Sequence, residues 1–239
     1  MGSKARLAKE ISPIINNFIK QYNVETYIEP FVGGANMIES IECKNKIASD
    51  NNKYLIDMWQ LLQAGWTPPE TLSKETYEDI KNNKDKYGKA LVSIAGFCAT
   101  YNAKWFGGYA GVVKTKIGTF RNYYDEAIRN IQKQTLNLMD VEFIYADYTY
   151  FTGYKNCLVY CDPPYQETTQ YGASKDFDYD YFWNWVREMS KDNLVLVSEY
   201  NAPDDFKCVF EKTLTTTLDK NSRKQDIEKL FLHKDSYYI

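Results

Sequence analysis

"CLVYCDPPYQET", residues Cys157 to Thr168, joins an apolar run to a stiff polar corner. The run is short and rich in aliphatic and aromatic side chains, the signature of a buried strand. Pro163 and Pro164 end it, because a proline has no N–H to give to a β-ladder. Asp162 stands immediately before the prolines and Tyr165 immediately after. A carboxylate and an aromatic ring are thereby held at the end of a strand that the core keeps still.

The same form recurs elsewhere in the chain. "TYIEPFVGGANM" reads as a strand over Thr26–Glu29, then a Pro/Gly turn (Glu29, Pro30, Phe31, Gly33, Gly34), then a helix from near Asn36. "KIASDNN" reads as a strand ending at Asp50, and "VEFIYADY" as one ending at Asp147-Tyr148. "NLVLVS" adds a further strand, and "KCVFEKTLTT" with "IEKLFLHK" a terminal hairpin. Between these lie stretches of helical periodicity. Leu7, Ile11, Ile14, Ile15, Phe18 and Ile19 form one, with Ser12-Pro13 expected to divide it. Leu55, Met58, Trp59 and Leu62 form another; "GWTPPET" breaks the pattern, and further helices are expected near 71–83, 88–100, around Tyr124 to Ile131 and over 178–190. No strand alternation shows in the middle section. Strands alternating with helices imply an α/β fold with a mostly parallel sheet and an antiparallel C-terminal hairpin. Such sheets bind ligands at the carboxyl ends of their strands, so the four polar ends predict one shared pocket.

Composition sets the outer limits. With 239 residues, 44% of them hydrophobic and 26% charged, the chain can bury the core of one domain carrying an insertion. No apolar run approaches the ~18 residues of a membrane span, and "MGSKARLAKEI" has no signal-peptide core, so a cytoplasmic location is expected. Five scattered cysteines argue against a disulfide framework. Cys157 and Cys161 lie in an apolar run far from His233, the sole histidine, so no metal is expected and histidine acid–base chemistry is disfavoured. The net charge of −3 gives no global attraction to a polyanion, yet Lys104, Lys114 and Lys116 lie in an acid-free segment, Arg121 follows, and Lys220, Arg223 and Lys224 form a second basic group.

The strand ends suggest their chemistry. Glycines in "EPFVGGAN" let backbone approach a ligand. Asp50, at the end of the next strand, is placed to accept ribose hydroxyls of a nucleoside cofactor. Neither a G-x-G-x-x-G fingerprint nor a phosphate-binding Gly-Lys-Ser/Thr loop occurs, which favours a cofactor without phosphates. Asp147-Tyr148 serves either an exocyclic amino group and a ring or a helix N-cap and the core. Asp162 suits an exocyclic amine. The nitrogen of such an amine is conjugated into the base and barely nucleophilic. Asp162 and the carbonyl of Pro163 are adjacent acceptors for its two hydrogens, and two prolines fix where that carbonyl points. Tyr165 can stack on a base that has left its duplex.

With these motifs in this order, the chain resembles the Dam-like DNA adenine-N6 methyltransferases. "EPFVGGAN" is similar to their cofactor turn and "DPPY" to their catalytic motif; "MGSK" resembles their N-terminal Gly-x-Lys and "KNSRKQDIEKLFLHK" their Arg…Glu-x-Leu segment. The resemblance covers nearly the whole chain and is loosest from Gly65 to Gln134. It implies a Rossmann-like S-adenosylmethionine-dependent methyltransferase domain over 1–59 and 135–239, with a mainly helical target-recognition insertion over 60–134. It implies S-adenosylmethionine as methyl donor, its ribose on Asp50, its adenine on Asp147 and Tyr148, and its methionine part along Phe31, Gly33 and Gly34. Glu29, Pro30 and Asn51 are expected beside it, and Lys4 near its carboxylate or the target base. The aromatic residue usual upstream of Gly-x-Lys has no counterpart before Gly2, which predicts weaker cofactor binding. Asp162, Pro163, Pro164 and Tyr165 would act on a flipped-out adenine of double-stranded DNA. Lys104, Lys114, Lys116, Arg121 and Arg223 would meet phosphates, and Trp105, Phe106 and Tyr109 would read or wedge the duplex, unless they anchor the subdomain. The segment from about Gln166 to Lys175 is expected to close over the base. A monomer is expected, with a dimer as the alternative. Cytosine N4, RNA adenine, or nucleic-acid binding without catalysis are the alternatives.

Overall fold

The computed structural model describes residues 5–115, 117–165, 177–219 and 222–236, without the side chains of 5, 6, 214–219 and 222–226. In chain order the main elements are α1 (Ala5–Gln21), β1 (Thr26–Glu29), β2 (Asn45–Asp50), α2 (Lys53–Gln63), α3 (Lys74–Asn82), α4 (Lys89–Ser93), β3 (Val112–Lys114), β4 (Phe120–Asn122), α5 (Tyr123–Leu136), β5 (Val141–Tyr145), β6 (Cys157–Cys161), α6 (Tyr179–Met189), β7 (Leu194–Glu199), β8 (Phe206–Asp219) and β9 (Ser222–His233). α4 runs on into a π-helical turn, Ile94–Cys98.

Seven strands form one sheet in the order β5-β2-β1-β6-β7-β9-β8, and β3 pairs with β4 separately. β1, β6 and β7 run parallel, with Ile28 level with Val159 and Val159 level with Val195. β9 joins β7 antiparallel, and β8 closes the hairpin on β9. The expected mostly parallel α/β sheet with an antiparallel C-terminal hairpin is therefore observed. Non-consecutive neighbours such as β1 and β6 are what crossover connections produce.

Local sequence explains where helices begin. Asn52, Ser73, Asn122 and Asp178 each accept a backbone N–H of the following turn, capping α2, α3, α5 and α6. Such a cap contributes about 1 kcal/mol. β6 and β7 are buried at every residue, as strands covered on both faces must be.

By Cα proximity the chain groups into two compact units, residues 1–14, 32–41 and 48–145, and residues 15–31, 42–47 and 146–239. In the first, Trp59 of α2 stacks on Phe143 of β5 at 5.7 Å. Gln60 and Gln63 donate to the carbonyls of Phe143, Leu138 and Val141. In the second, one face of the sheet offers Ile28, Cys157, Val159, Cys161, Val195 and Val197 to Phe182, Trp185, Val186 and Met189 of α6. The period-2 alternation of strands and the helical spacing of α6 produce that match.

Three local expectations differ from the structure. α1 is continuous through Pro13. The proline deletes one helical hydrogen bond, at a cost near ~3 kcal/mol, but Leu7, Ala8, Ile11, Ile15 and Ile19 are buried on both sides of it and offset the loss. The helix expected from Asn36 is a single turn, Ile38–Ser40, because Ile41 is already extended and β2 starts at Asn45. The middle section holds a hairpin: Val112, Val113 and Lys114 of β3 lie level with Asn122, Arg121 and Phe120 of β4. Interspersed lysines hide its β-branched and aromatic residues.

Candidate active site

In the first unit, the glycine turn after β1 is held from three directions. The Gly33 N–H donates to Asp50 Oδ2 at 3.0 Å. The Gly33 carbonyl accepts from the Trp59 indole at 3.2 Å, and the Gly34 carbonyl from the Gln134 amide at 2.9 Å. Gly33 has φ +46° and Ala35 φ +54°, so the turn occupies the left-handed region twice. A Cβ on Gly33 would meet nothing within 4 Å; its glycine answers to backbone conformation, and the space in front of it is open.

Asp50 also takes the Asn52 N–H on Oδ1 at 2.8 Å. Burial raises its pKa, and the two backbone N–H groups work against that rise. Each carboxylate oxygen retains a lone pair beyond the one engaged, which is the donor-poor, acceptor-rich character a ribose diol needs. Asn51 beside it is exposed.

In the second unit, β1 ends on Glu29, which is buried and accepts the Tyr27 hydroxyl at 3.1 Å. Pro30 is buried and Phe31 half-buried. The Phe31 ring stacks on Tyr148 at 5.5 Å and 27°, and meets Phe177 and Phe182 edge-on. Asp147 is an N-cap here: its Oδ1 accepts the Thr149 N–H at 3.0 Å, at the start of a one-turn helix, Tyr148–Phe151. Tyr148 is buried, which together with the Asp147 charge pushes its hydroxyl up to about 12.

β6 leads straight into Asp162, which is half-buried, followed by the buried Pro163 and the half-buried Pro164 and Tyr165. Tyr160, behind the turn, is fully buried and bonded to the Ser198 hydroxyl at 2.8 Å. Burial, followed by the charge of Asp162, raises the pKa of both Tyr160 and Cys161. Side chains from other elements secure the turn. The Tyr165 hydroxyl donates to Glu228 Oε2 at 2.6 Å, and the Tyr179 hydroxyl donates to the Pro164 carbonyl at 2.9 Å. The Tyr165 ring also meets Tyr200 edge-on at 4.7 Å. Glu228 is the glutamate of the Arg…Glu-x-Leu segment, but its bond to Tyr165, and Tyr179 altogether, escaped sequence reasoning: the bonds span 63 and 15 residues and leave no local pattern.

The expected nucleic-acid contacts fall into two kinds. Trp105 packs on Phe97 at 4.7 Å and Tyr54 at 5.4 Å, and Phe106 is buried against Tyr77. The Tyr109 hydroxyl donates to the Leu72 carbonyl at 2.6 Å. These contacts anchor the helices around α3 and the π-helical turn. Arg121 is engaged with both carboxylate oxygens of Glu126 and lies over the Tyr123 ring. Lys104 and Lys114 are exposed. The hairpin, by contrast, exposes apolar groups: Val112, Phe120 at 74% and Ile117 at 86% exposure. Lys4, Lys116, the segment from Gln166 to Lys175 and the side chain of Arg223 lie outside the described residues. Among the described residues, no cluster of His, Cys, Asp or Glu could hold a metal ion, and no helix is long and apolar enough to cross a membrane. Cys157 and Cys161 are buried free thiols.

Comparison with known proteins bears on this arrangement. The model of the D12 class N6 adenine-specific DNA methyltransferases matches residues 1–194. The type II methyltransferase M.FokI of Planomicrobium okeanokoites is 22% identical over 79% of this chain, and the modification methylase StsI of Streptococcus sanguinis 25% identical over 79%. The chain spans about a third of the length of these two relatives, 31% of each. The type II methyltransferase M.MjaIII of Methanocaldococcus jannaschii is 23% identical over 75% of this chain and 73% of its own length. Among solved structures, the rRNA methyltransferase aviRa from Streptomyces viridochromogenes aligns over 99% of this chain and 87% of that one at a TM-score of 0.46 and 12% identity, a likeness too loose to add to the topology above.

Proposed function

The chain belongs to the D12 class of N6 adenine-specific DNA methyltransferases, and from that premise we propose that it transfers a methyl group from S-adenosylmethionine to N6 of a flipped-out adenine in double-stranded DNA. The observation that carries this reading is the Asp162-Pro163-Pro164-Tyr165 turn, fixed at the end of the fully buried β6. The names of the relatives, type II methyltransferases and a modification methylase, support a site-specific modification role.

The residues present fit the methyl donor. Asp50 keeps acceptor capacity for ribose hydroxyls. Gly33 has open space where a Cβ would stand, which suits the methionine part. The Phe31–Tyr148 ring pair offers an apolar face to adenine, and Asp147, although it caps a turn, is an exposed carboxylate for the exocyclic amine. When bound, the sulfonium supplies an electrophilic methyl group and leaves as a thioether.

The chain's own task is to prepare the nucleophile. Asp162 accepts one hydrogen of the adenine amine and the Pro163 carbonyl the other. Both bonds draw the nitrogen lone pair out of conjugation and aim it. As the new N–C bond forms, the Asp162 carboxylate can take the proton the nitrogen releases. Tyr165 stacks on the extruded ring. Holding a poor nucleophile in a near-attack geometry is worth several kcal/mol, up to roughly 7–11. The segment 60–134 serves as the target-recognition insertion. Its DNA-facing edge is the β3–β4 hairpin with Lys114, while Trp105 and Tyr109 support it from within.

The test is direct. Purified protein is incubated with labelled methyl donor and adenine-unmethylated genomic DNA, and the product nucleosides are separated. N6-methyladenine is expected, and Asp162→Ala is expected to abolish it while leaving donor binding within about twofold. Cofactor binding without methyl transfer to any DNA would sink the proposal. N4-methylcytosine, or transfer to RNA only, would change the acceptor.

A further inference from the structure

A turn made of Asp162, Pro163, Pro164 and Tyr165 is poor in means of holding itself. Its two prolines supply no N–H, which removes two of its four backbone donors. Side chains from elsewhere hold it, and the structure shows two of them. The Tyr165 hydroxyl is 2.6 Å from Glu228 Oε2, and Glu228 is 7% exposed. The Tyr179 hydroxyl is 2.9 Å from the Pro164 carbonyl. Glu228 belongs to β9, which pairs with β7, the strand next to β6. The C-terminal hairpin thus reaches back to the turn that β6 delivers. Tyr179 opens α6, whose Asp178 cap fixes the first turn of the helix.

We propose that Glu228 and Tyr179 are positioning residues for methyl transfer: Glu228 fixes the base-stacking ring of Tyr165, and Tyr179 occupies the Pro164 carbonyl so that the Pro163 carbonyl is the one presented to the amine. This rests on the reading of the turn as the methyl-transfer site. A tyrosine ring has two rotatable bonds, and a freely rotating ring reaches the geometry for transfer only part of the time. A hydroxyl anchor and an edge contact to Tyr200 restrict that rotation beforehand. Tyr165 remains a donor throughout, since burial and then the charges of Asp162 and Glu228 hold its pKa far above the usual phenol value.

The experiment uses Glu228→Ala, Glu228→Gln, Tyr165→Phe, Tyr179→Phe and the double variant Glu228→Ala/Tyr165→Phe. Single-turnover transfer of labelled methyl groups to adenine-unmethylated genomic DNA is measured, with donor affinity by calorimetry. Glu228→Ala is expected to slow transfer roughly 10- to 100-fold, with donor affinity and the DNA concentration for half-maximal rate unchanged. Glu228→Gln, whose amide oxygen still accepts, is expected to recover most of the rate. In the Tyr165→Phe background the same alanine is expected to cost less than about threefold, because the bond it removes is already gone. Equal losses in both backgrounds would overturn the positioning role of Glu228, and full activity in Tyr179→Phe that of Tyr179.

A second readout needs no DNA and no turnover. Backbone hydrogen exchange at Asp162 and Tyr165 is expected to accelerate in Glu228→Ala and Tyr179→Phe, and to stay unchanged in α1 and α5. Unaltered exchange in the turn would overturn the proposal by itself. If the wild-type protein binds the donor yet methylates nothing, the functional reading falls and the exchange result alone decides the clamp. The two phenylalanine variants remove a single oxygen each, and they decide the matter if Glu228→Ala fails to fold.

Discussion

Replacing Asp50 by Asn separates two roles of one carboxylate, the brace on the glycine turn and the proposed contact to the ribose. Its Oδ2 accepts the Gly33 N–H at 3.0 Å and its Oδ1 the Asn52 N–H at 2.8 Å. An amide has one acceptor oxygen and one NH2 group, so in Asp50→Asn one of these N–H groups must face a donor. A hydrogen bond to a charged group contributes roughly 1.5–3 kcal/mol, and a buried orphan N–H costs a further part of that range. The variant is therefore expected to be about 2–3 kcal/mol less stable. For a chain of this size that lowers the unfolding midpoint by about 4–12 °C. Loss of the ribose acceptor and release of the glycine turn are expected to weaken donor binding by about 10- to 100-fold, at 1.4 kcal/mol per factor of ten. Denaturant unfolding and calorimetry with the demethylated donor measure the two effects. Wild-type stability would refute the brace. Lowered stability with undiminished affinity would leave the brace and remove the ribose assignment.

Acidification offers a second approach to the same residue. Burial raises the pKa of Asp50, so its carboxylate is lost, as pH falls, at a higher pH than an ordinary aspartate's. Donor affinity should then decline on acidification in that range, and the slope should vanish in Asp50→Asn. An identical pH profile for both proteins would count against the assignment.

Three other outcomes follow from particular contacts. Gly96→Ala would place a Cβ 2.4 Å from the Trp105 ring and 2.9 Å from Phe106; a stability loss of about 1–3 kcal/mol is expected from overpacking, read by urea unfolding. Asp205 is held at about 2, first by its bond to Arg187. Its folded pKa lies below the ordinary one, so the stabilisation is present above about pH 4 and is lost as pH falls towards about 2. Arg187→Met should remove it, costing about 0.5–1 kcal/mol near neutrality after allowance for exposure and flattening the acid limb of the stability curve. On the hairpin, Lys114→Ala should reduce the slope of log affinity for duplex DNA against log salt by about 0.9, while Phe120→Ala should weaken binding with the slope unchanged. Anisotropy over a salt series distinguishes them.

The sequence revealed most about positions where burial and polarity change abruptly. β6 is apolar over every residue and then meets Asp162, a contrast that only a strand end explains, and the same holds for β2 and Asp50. It revealed least where one pattern serves two ends. Trp105, Phe106 and Tyr109 sit in a glycine-rich basic loop whether they read DNA or anchor helices. The answer lies in Gly96, Tyr77 and Leu72, which touch them from other elements. Asp147 was equally ambiguous; its Oδ1 proves to be occupied by the Thr149 N–H. Pro13 misled because a local rule outweighed, on paper, a burial stripe longer than the break.

The two candidate turns share a design that local patterns could not disclose. The glycine turn has a left-handed backbone and two residues of the proline turn have no N–H, so neither continues the regular structure before it. Each is held by side chains brought from far along the chain: Asp50, Trp59 and Gln134 on Gly33 and Gly34, Glu228 and Tyr179 on Tyr165 and Pro164. A backbone freed from ladders is available to a ligand, and a backbone fixed by distant side chains does not lose order when the ligand arrives. The consequence is that sensitivity to mutation should extend beyond the motifs. Gln134→Leu leaves the Gly34 carbonyl without its amide and should weaken donor binding several-fold at nearly unchanged stability, since the hydrogen bond it removes is worth about 1 kcal/mol while the α5 core face of Tyr124, Ile128 and Ile131 is untouched. Calorimetry against a matched unfolding curve tests this; unaltered affinity would mean that the glycine turn needs only Asp50 and Trp59 to stay in place.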